Sequence, residues 1–170
     1  MIVAIMSDSH DHLHNVSKAL KVICEQKAEA IIHCGDFVAP FVLLELEKGG
    51  IPVHGVFGNN DGDRYLLTKY SLTTLSHITL YDPVGKLDLE GYRIAFTHYK
   101  EIAEGFARNG QYDLVCYGHT HTADHSKIGE TDFLNPGEVM GKNGPPTFYI
   151  INTVSRSFDK IQISNERLMP

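Results

Sequence analysis

The sequence predicts an α/β fold in which two β-sheets pack against each other and helices cover the outer faces. Three observations predict it. Short apolar runs rich in Val, Ile and Phe recur along the 170 residues. The first of these alternate with helix-like stretches, in the order strand, helix, strand, helix, strand. The later ones follow one another at turn spacing. A chain that begins in that alternating order pairs its strands in parallel through right-handed crossovers, and the later strands supply a second sheet.

Taken in order, Ile2–Met6 is a short buried strand. In residues 11–27, Leu13, Val16, Ala19, Leu20, Ile23 and Cys24 recur at steps of three and four, the signature of a helix with one buried stripe. Asp11 is its expected N-cap. Ala30–His33 is a second strand. Pro40 opens a second helix, which Gly49 and Gly50 close. Residues 53–57 form a third strand. Beyond Asp61 the expectation is a meander or hairpin of Ile78–Tyr81, residues 86–89 and Tyr92–Thr97. A short helix over residues 101–109 ends at Gly110. Strands follow at 114–117, 125–128, 132–134, 148–152 and 157–163. No repeat or linker interrupts the chain, so residues 1–170 are expected to form one domain.

Composition narrows the function classes. The hydrophobic share is 42% and the charged share 21%, ordinary for a globular domain. No apolar run reaches the ~18 residues needed to span a membrane. A net charge of −6 argues against a long nucleic-acid footprint, which requires a basic face. Cys24, Cys34 and Cys116 form no CxxC pair and lie in apolar contexts, which fits buried thiols in a cytoplasmic protein. The unusual feature is ten histidines.

Their placement carries the chemistry. Met6 leads into Ser7-Asp8-Ser9-His10, and residues 31–34 lead into Gly35-Asp36. Residues 56–57 lead into Gly58-Asn59-Asn60-Asp61, Thr97 into His98, and Tyr117 into Gly118-His119-Thr120-His121. Five strands thus deliver carboxylate, carboxamide or imidazole groups at their carboxyl ends, the edge where open α/β sheets bind ligands. Asp8 and His10 are two residues apart, as are His119 and His121. In extended backbone each pair aims at one point. Glycine before Asp36, Asn59 and His119 permits close approach of backbone to an ion. Each motif alone is a turn, a cap or a solvated strand face; five together at strand ends indicate a metal site. Mixed imidazole and oxygen donors suit divalent manganese, iron, nickel or zinc better than calcium.

These motifs, Asp8-x-His10, Gly35-Asp36, Gly58-Asn59-Asn60-Asp61, His98 and Gly118-His119-x-His121, resemble those of the calcineurin-like metallophosphoesterase family. The short length and the opening Ser7-Asp8-Ser9-His10-Asp11-His12 resemble its small single-domain phosphodiesterase branch of bacteria and archaea. The resemblance runs from Ile2 to Gly137. It implies a four-layer αββα sandwich of two mixed β-sheets flanked by helices. It also implies two divalent metal ions, manganese or nickel first, with iron, zinc or magnesium as alternatives. By motif match, Asp8, His10, Asp36 and His121 hold one ion, and Asp36, Asn59, His98 and His119 the other, with Asp36 as the bridge. The implied activity is phosphodiester hydrolysis by a metal-bridging hydroxide that attacks phosphorus in line. The catalytic set implied is Asp8, Asp36, Asn59, Asn60, Asp61 and His98, acting on a small phosphate ester.

The sequence departs from the family at Asn60, where many members have a His that acts on the leaving group. A carboxamide is no general acid at neutral pH, so good leaving groups such as aryl esters are expected to be preferred. Asn60 is left with a hydrogen bond to a phosphate oxygen, and Asp61 with orienting a neighbour. Tyr99 is expected either to narrow the cleft or to pack at its rim. Asn135-Pro136-Gly137 is expected on the substrate side. His12 and His14 are either supports of the site or solvated, His33 is a satisfied buried residue, and His54, His77 and His125 are structural or on the surface. Two alternatives stay open: a phosphomonoesterase or nucleotidase on the same site, and a protein-binding scaffold like the retromer-coat subunit of this fold. A homo-oligomer is also left open.

Overall fold

The computed structural model describes residues 1–163, so the end of the expected 1–170 domain lies outside the described residues. The elements are β1 (Ile2–Met6), α1 (Leu13–Glu25), β2 (Ala30–His33), α2 (Phe41–Glu47) and β3 (Val53–Val56). Then come α3 (Arg64–Thr73), β4 (Ile78–Tyr81), β5 (Val84–Leu89), β6 (Tyr92–Thr97) and α4 (Lys100–Arg108). β7 (Leu114–Cys116), β8 (Asp124–Ile128), β9 (Thr131–Asn135), β10 (Thr147–Asn152) and β11 (Ser157–Gln162) complete the order.

One sheet runs β11-β10-β1-β2-β3-β4, the other β5-β6-β7-β9-β8. Both are mixed. β1, β2, β3 and β4 pair in parallel, and β10 and β11 add antiparallel edges. In the second sheet β6, β7 and β9 are parallel, with antiparallel β5 and β8 outside them.

Alternation along the strands builds the layers. Val3 and Ile5 of β1 point between the sheets and meet Ile94, Phe96, Leu114 and Leu134. Ala4 and Met6 point the other way, into a core with Val16, Leu20, Ile23, Val42, Leu43 and Leu67 from three helices. On the far side of the second sheet, Ala95, Val115 and Phe133 pack on Ala103 and Ala107 of α4. The expected order of helix, sheet, sheet, helix is therefore present.

Four expectations fail. α3 was not foreseen; Leu67 is its only buried residue, so it carries almost no apolar stripe. Asp63 caps it by accepting the Leu66 N–H at 2.9 Å. β4 is no part of a meander: it pairs in parallel with β3, while only β5 and β6 form the hairpin. Asp11 does not cap α1. Its φ is +54°, its N–H bonds the Phe37 carbonyl, and His12 Nδ1 takes the cap by accepting the Asn15 N–H. Cys24 is exposed, although Cys34 and Cys116 are buried as free thiols between the sheets. No described helix is long and apolar enough to cross a membrane.

Candidate metal centre

The carboxyl ends of β1, β2, β3, β6 and β7 converge, and backbone hydrogen bonds join their loops. The Asp8 N–H donates to the Gly35 carbonyl, His10 to Asp36, and Gly118 to His98, each at 3.0–3.1 Å. Asp61 fastens two loops together. Its carboxylate accepts N–H bonds from Val38 at 2.7 Å, Gly58 at 2.6 Å and Asp36 at 3.2 Å. Burial holds this carboxyl above its ordinary range, with the donors from Gly58 and Val38 opposing.

One atom from each of Asp8, His10, Asp36 and His121 lies within 4.8 Å of the others. His10 Nε2 is 3.4 Å from Asp36 Oδ2, and His121 Nε2 is 3.3 Å from Asp8 Oδ1. Beside this cluster, His98 Nε2 is 3.5 Å from the same Asp36 oxygen and 3.0 Å from Asn59 Oδ1. The His98 Nδ1–H is engaged by the Cys34 carbonyl at 2.8 Å, which leaves Nε2 as the outward lone pair. His119 is exposed and packs edge-on against His98, with ring centroids 5.1 Å apart. Every residue assigned a ligand role thus reaches one locality, with Asp36 Oδ2 facing both halves.

The pairs converge by a route the sequence did not suggest. Asp8, His10, His119 and His121 are not extended; their φ values are +53°, +42°, +67° and +59°. Among the described residues, seven of the ten non-glycine positions with positive φ are Asp8, His10, Asp11, Asp36, Val38, His119 and His121. Such backbone costs about 1 kcal/mol or more at each site and concentrates where function fixes geometry. The glycines answer to crowding: a Cβ on Gly58 would strike the Asp36 carboxylate, and one on Gly118 would strike Ser7 Oγ.

The electrostatics call for positive charge. Asp8 is fully buried. Burial alone would raise its carboxyl, yet the imidazoles of His10 and His121 hold it well below the ordinary carboxylate range. Reciprocally, the Asp8 carboxylate lifts His121 to about 9 against the effect of burial, and Glu138 adds to the rise. Asp8 Oδ1 and His10 Nε2 are buried and make no hydrogen bond; their neighbours, His121 Nε2 and Asp36 Oδ2, lie 3.3 and 3.4 Å away. A divalent cation among these oxygen and imidazole donors satisfies both atoms, so the residues present fit a metal.

Comparison with known proteins gives the lineage. The family profile described as the calcineurin-like phosphoesterase superfamily domain matches residues 1–156. The chain belongs to that superfamily. As such it is a hydrolase of phosphoric esters, from a family that uses divalent metals. It is 34% identical over 164 residues to a phosphodiesterase of Methanocaldococcus jannaschii, covering 95% of this chain and 98% of that one. It is 28% identical over 166 residues to phosphodiesterase YfcE of Escherichia coli, covering 88% and 85%. Among solved structures, an archaeal phosphodiesterase superposes with a TM-score of 0.87 at 33% identity, over 95% of this chain and 99% of that one. Vps29 of Chaetomium thermophilum shares the fold, with a TM-score of 0.68 at 16% identity over 89% and 80%.

Against the superfamily pattern, two residues, Asn60 and Asn135, sit differently from expectation. Asn60 directs its side-chain amide to Asp36 Oδ2 at 2.7 Å and its backbone N–H to Asp36 Oδ1 at 2.8 Å, not to open space where a phosphate would lie. Asn135 is fully buried and donates to the Gly118 carbonyl and Thr120 Oγ1, both at 2.9 Å. It therefore braces the loop bearing His119 and His121 and offers no group to substrate. Tyr99 is half-buried, with its ring beside those of His98 and His119.

Glu138 escaped the sequence reading altogether. It is 1% exposed, and its Oε2 lies 2.6 Å from His121 Nδ1. Its Oε1 accepts the Asn143 N–H at 2.5 Å and the Gly144 N–H at 3.0 Å. A carboxylate on Nδ1 fixes the tautomer that presents Nε2 to a metal. Four further histidines are structural. His33 is buried between Ser9 Oγ and the Gly35 N–H, and His54, His77 and His125 bond Tyr81, Glu47 and Asp132.

Proposed function

We propose that the chain is a divalent-metal-dependent phosphodiesterase with a dinuclear centre. The observation that carries this is the cluster of Asp8, His10, Asp36 and His121 with its two orphaned buried atoms, in a chain of phosphoesterase lineage. Asp8, His10, Asp36 and His121 would hold one ion, and Asp36, Asn59, His98 and His119 the second. Bound there, two divalent cations would supply positive charge for phosphoryl oxygens and would lower the pKa of a bound water.

The protein's own groups do the rest. Asp36 places one oxygen between the two halves, and both donors of Asn60 hold that carboxylate in orientation. Asp61 keeps the Gly58 and Asp36 loops in register. Cys34 and Glu138 fix the Nε2 faces of His98 and His121. With an amide at position 60, no imidazole there can protonate a departing alkoxide, so turnover is expected to favour aryl esters. The kinship with proteins named phosphodiesterases supports the diester reading. So does Arg64, whose guanidinium is committed to Asp82 and the Gly58 carbonyl rather than to the second charge of a monoester.

The test is hydrolysis of a bis-aryl phosphate against its mono-aryl counterpart, after metals are stripped and manganese, nickel, iron, zinc or magnesium is restored singly. Metal-dependent cleavage that favours the diester is the expected result. Cleavage of the monoester alone would replace this reading with a phosphomonoesterase.

A further inference from the structure

The histidines of the proposed ligand set are not held alike. His98 Nδ1 meets the Cys34 carbonyl at 2.8 Å, and His121 Nδ1 meets Glu138 Oε2 at 2.6 Å. His10 Nε2 lies 3.8 Å from Asp8 Oδ1 and 3.4 Å from Asp36 Oδ2. His119 has no such support. Among the described residues, no side-chain hydrogen bond or ion pair holds its imidazole, which is flanked by two rings, those of His98 and Tyr99. Its backbone is fixed all the same. The His119 N–H donates to Asp8 Oδ2 at 3.1 Å, and Asn135 ties down Gly118 and Thr120 on either side. What stays loose is the side chain, because the residue is exposed and the second torsion of an imidazole is broad.

Tyr99 occupies a position where helices favour another kind of residue. It is the N-cap of α4, a place for Ser, Thr, Asp or Asn, and its side chain makes no capping bond. Its carbonyl accepts the Ala103 N–H at 3.1 Å, and Ala103 is buried against the second sheet, so the Tyr99 backbone is firmly based. Its ring does what a capping residue could not. Tyr99 meets His98 edge-on, with centroids 5.2 Å apart and planes at 82°. His98 meets His119 at 5.1 Å and 69°, and Tyr99 meets His119 at 5.6 Å and 59°. All three separations fall in the range of about 4.5–7 Å where tilted and edge-to-face rings attract. His98 is itself fixed by Cys34, so the His119 imidazole rests on one immobile ring and on Tyr99.

We infer that Tyr99 is a positioning residue for His119, and that its ring replaces the polar partner which His98 and His121 have and His119 lacks. The ring limits the directions in which the imidazole can turn and so lowers the ordering cost of placing it on the second ion. This rests on the dinuclear reading above and adds a residue that the ligand set does not contain. The hydroxyl has no part in it.

The experiment is a calorimetric manganese titration of the metal-free wild type, Tyr99→Phe and Tyr99→Ala. The wild type is expected to show two steps, and Tyr99→Phe, which keeps the ring, both of them unchanged. Tyr99→Ala is expected to keep the first step and to bind the second ion about tenfold more weakly. Its hydrolysis of a bis-aryl phosphate should be low at limiting manganese and return to the wild-type rate in excess. An unchanged second step in Tyr99→Ala overturns the inference, and so does an equal loss in Tyr99→Phe, which would assign the effect to the hydroxyl. Weakening of both steps together also overturns it, since Tyr99 would then support the whole centre rather than His119. Activity that excess manganese does not restore would place the ring on the substrate and overturn it as well. Uptake of a single ion by the wild type would instead be a failure of the dinuclear reading.

Discussion

The two halves of the proposed centre share Asp36 but are built differently. On the His10 side, Asp8 is fully buried, two polar atoms lack partners, and a buried glutamate stands behind His121. On the His98 side, the Nε2 lone pair of His98 faces a second acceptor, Asn59 Oδ1, at 3.0 Å, and His119 is exposed. The first half is desolvated and its donors are held in place, while the second opens to solvent. Pre-organised, desolvated donors bind a cation more tightly than exposed ones, because less ordering remains to be done on binding. Unequal affinities are therefore expected: a tight ion on the Asp8 side and a weaker one beside His119.

The largest effect is expected where the halves meet. Asp36→Ala should bind neither ion and lose bis-aryl phosphate hydrolysis to background, with metal content by plasma spectrometry as the check. Full activity in that variant would sink the dinuclear reading. The inequality itself is broken by a pair of variants. His121→Ala should abolish the tight step of a manganese titration, whereas His119→Ala should keep it and lose only the weak one. Loss of the same step in both would show that the halves are not distinct.

That asymmetry marks what the sequence could reveal. Asp8, His10, Asp36, Asn59, His98, His119 and His121 were legible because each follows an apolar strand, and parallel strands bring their carboxyl ends to one edge. The layer order was legible from the order of elements, strands alternating with helices first and strands following strands later. The left-handed backbone at Asp8 and His121 was not, since spacing alone cannot separate i, i+2 convergence through a strand from convergence through a strained loop. Glu138 was not, because nothing in its neighbourhood announces a carboxylate that answers an imidazole 17 positions earlier. A cue existed: an acidic residue soon after the apolar β9 strand, at the same edge. α3 was missed because Leu67 is its one buried side chain, although Asp63 stands three residues before Leu66 as a cap.

Glu138→Gln sharpens the comparison. The remaining oxygen can still accept the N–H groups of Asn143 and Gly144, but an amide nitrogen then faces the N–H of His121. First-ion affinity is expected to fall ~10–100-fold, the usual cost of losing such a support. The second half should change little, and the thermal midpoint of the metal-free protein should move by only a few degrees. An unchanged first step would remove Glu138 from the centre. Asn60→His acts on the other side. It should speed alkyl phosphodiesters ~10-fold or more relative to aryl ones, since an imidazole can protonate the leaving oxygen. An unchanged ratio of the two substrates would mean that Asn60 serves only to hold Asp36.

The remaining effect concerns acid stability, through a histidine held by Ser9 and Gly35. His33 is wholly buried, stacked on Phe37 with ring centroids 4.0 Å apart, and wedged between Ser9 and Gly35. Burial pushes its imidazole down to about 3, and burial lowers His54 as well. The unfolded chain then takes up protons below pH ~6.5 that the folded chain refuses, so stability falls as pH drops. Each such group contributes a slope of up to ~1.4 kcal/mol per pH unit, between its unfolded value and its folded one. Denaturant titrations of the metal-free protein should show this loss from pH ~6.5 down to ~4.5, above the range where Asp8 contributes its own loss in the same direction. His33→Gln keeps an acceptor for the Gly35 N–H and cannot titrate. It should be less stable than the wild type at pH 7 and yet lose less on acidification. An unaltered slope in that variant would assign the acid sensitivity to His54 and leave the Ser9–His33–Gly35 contact as packing alone.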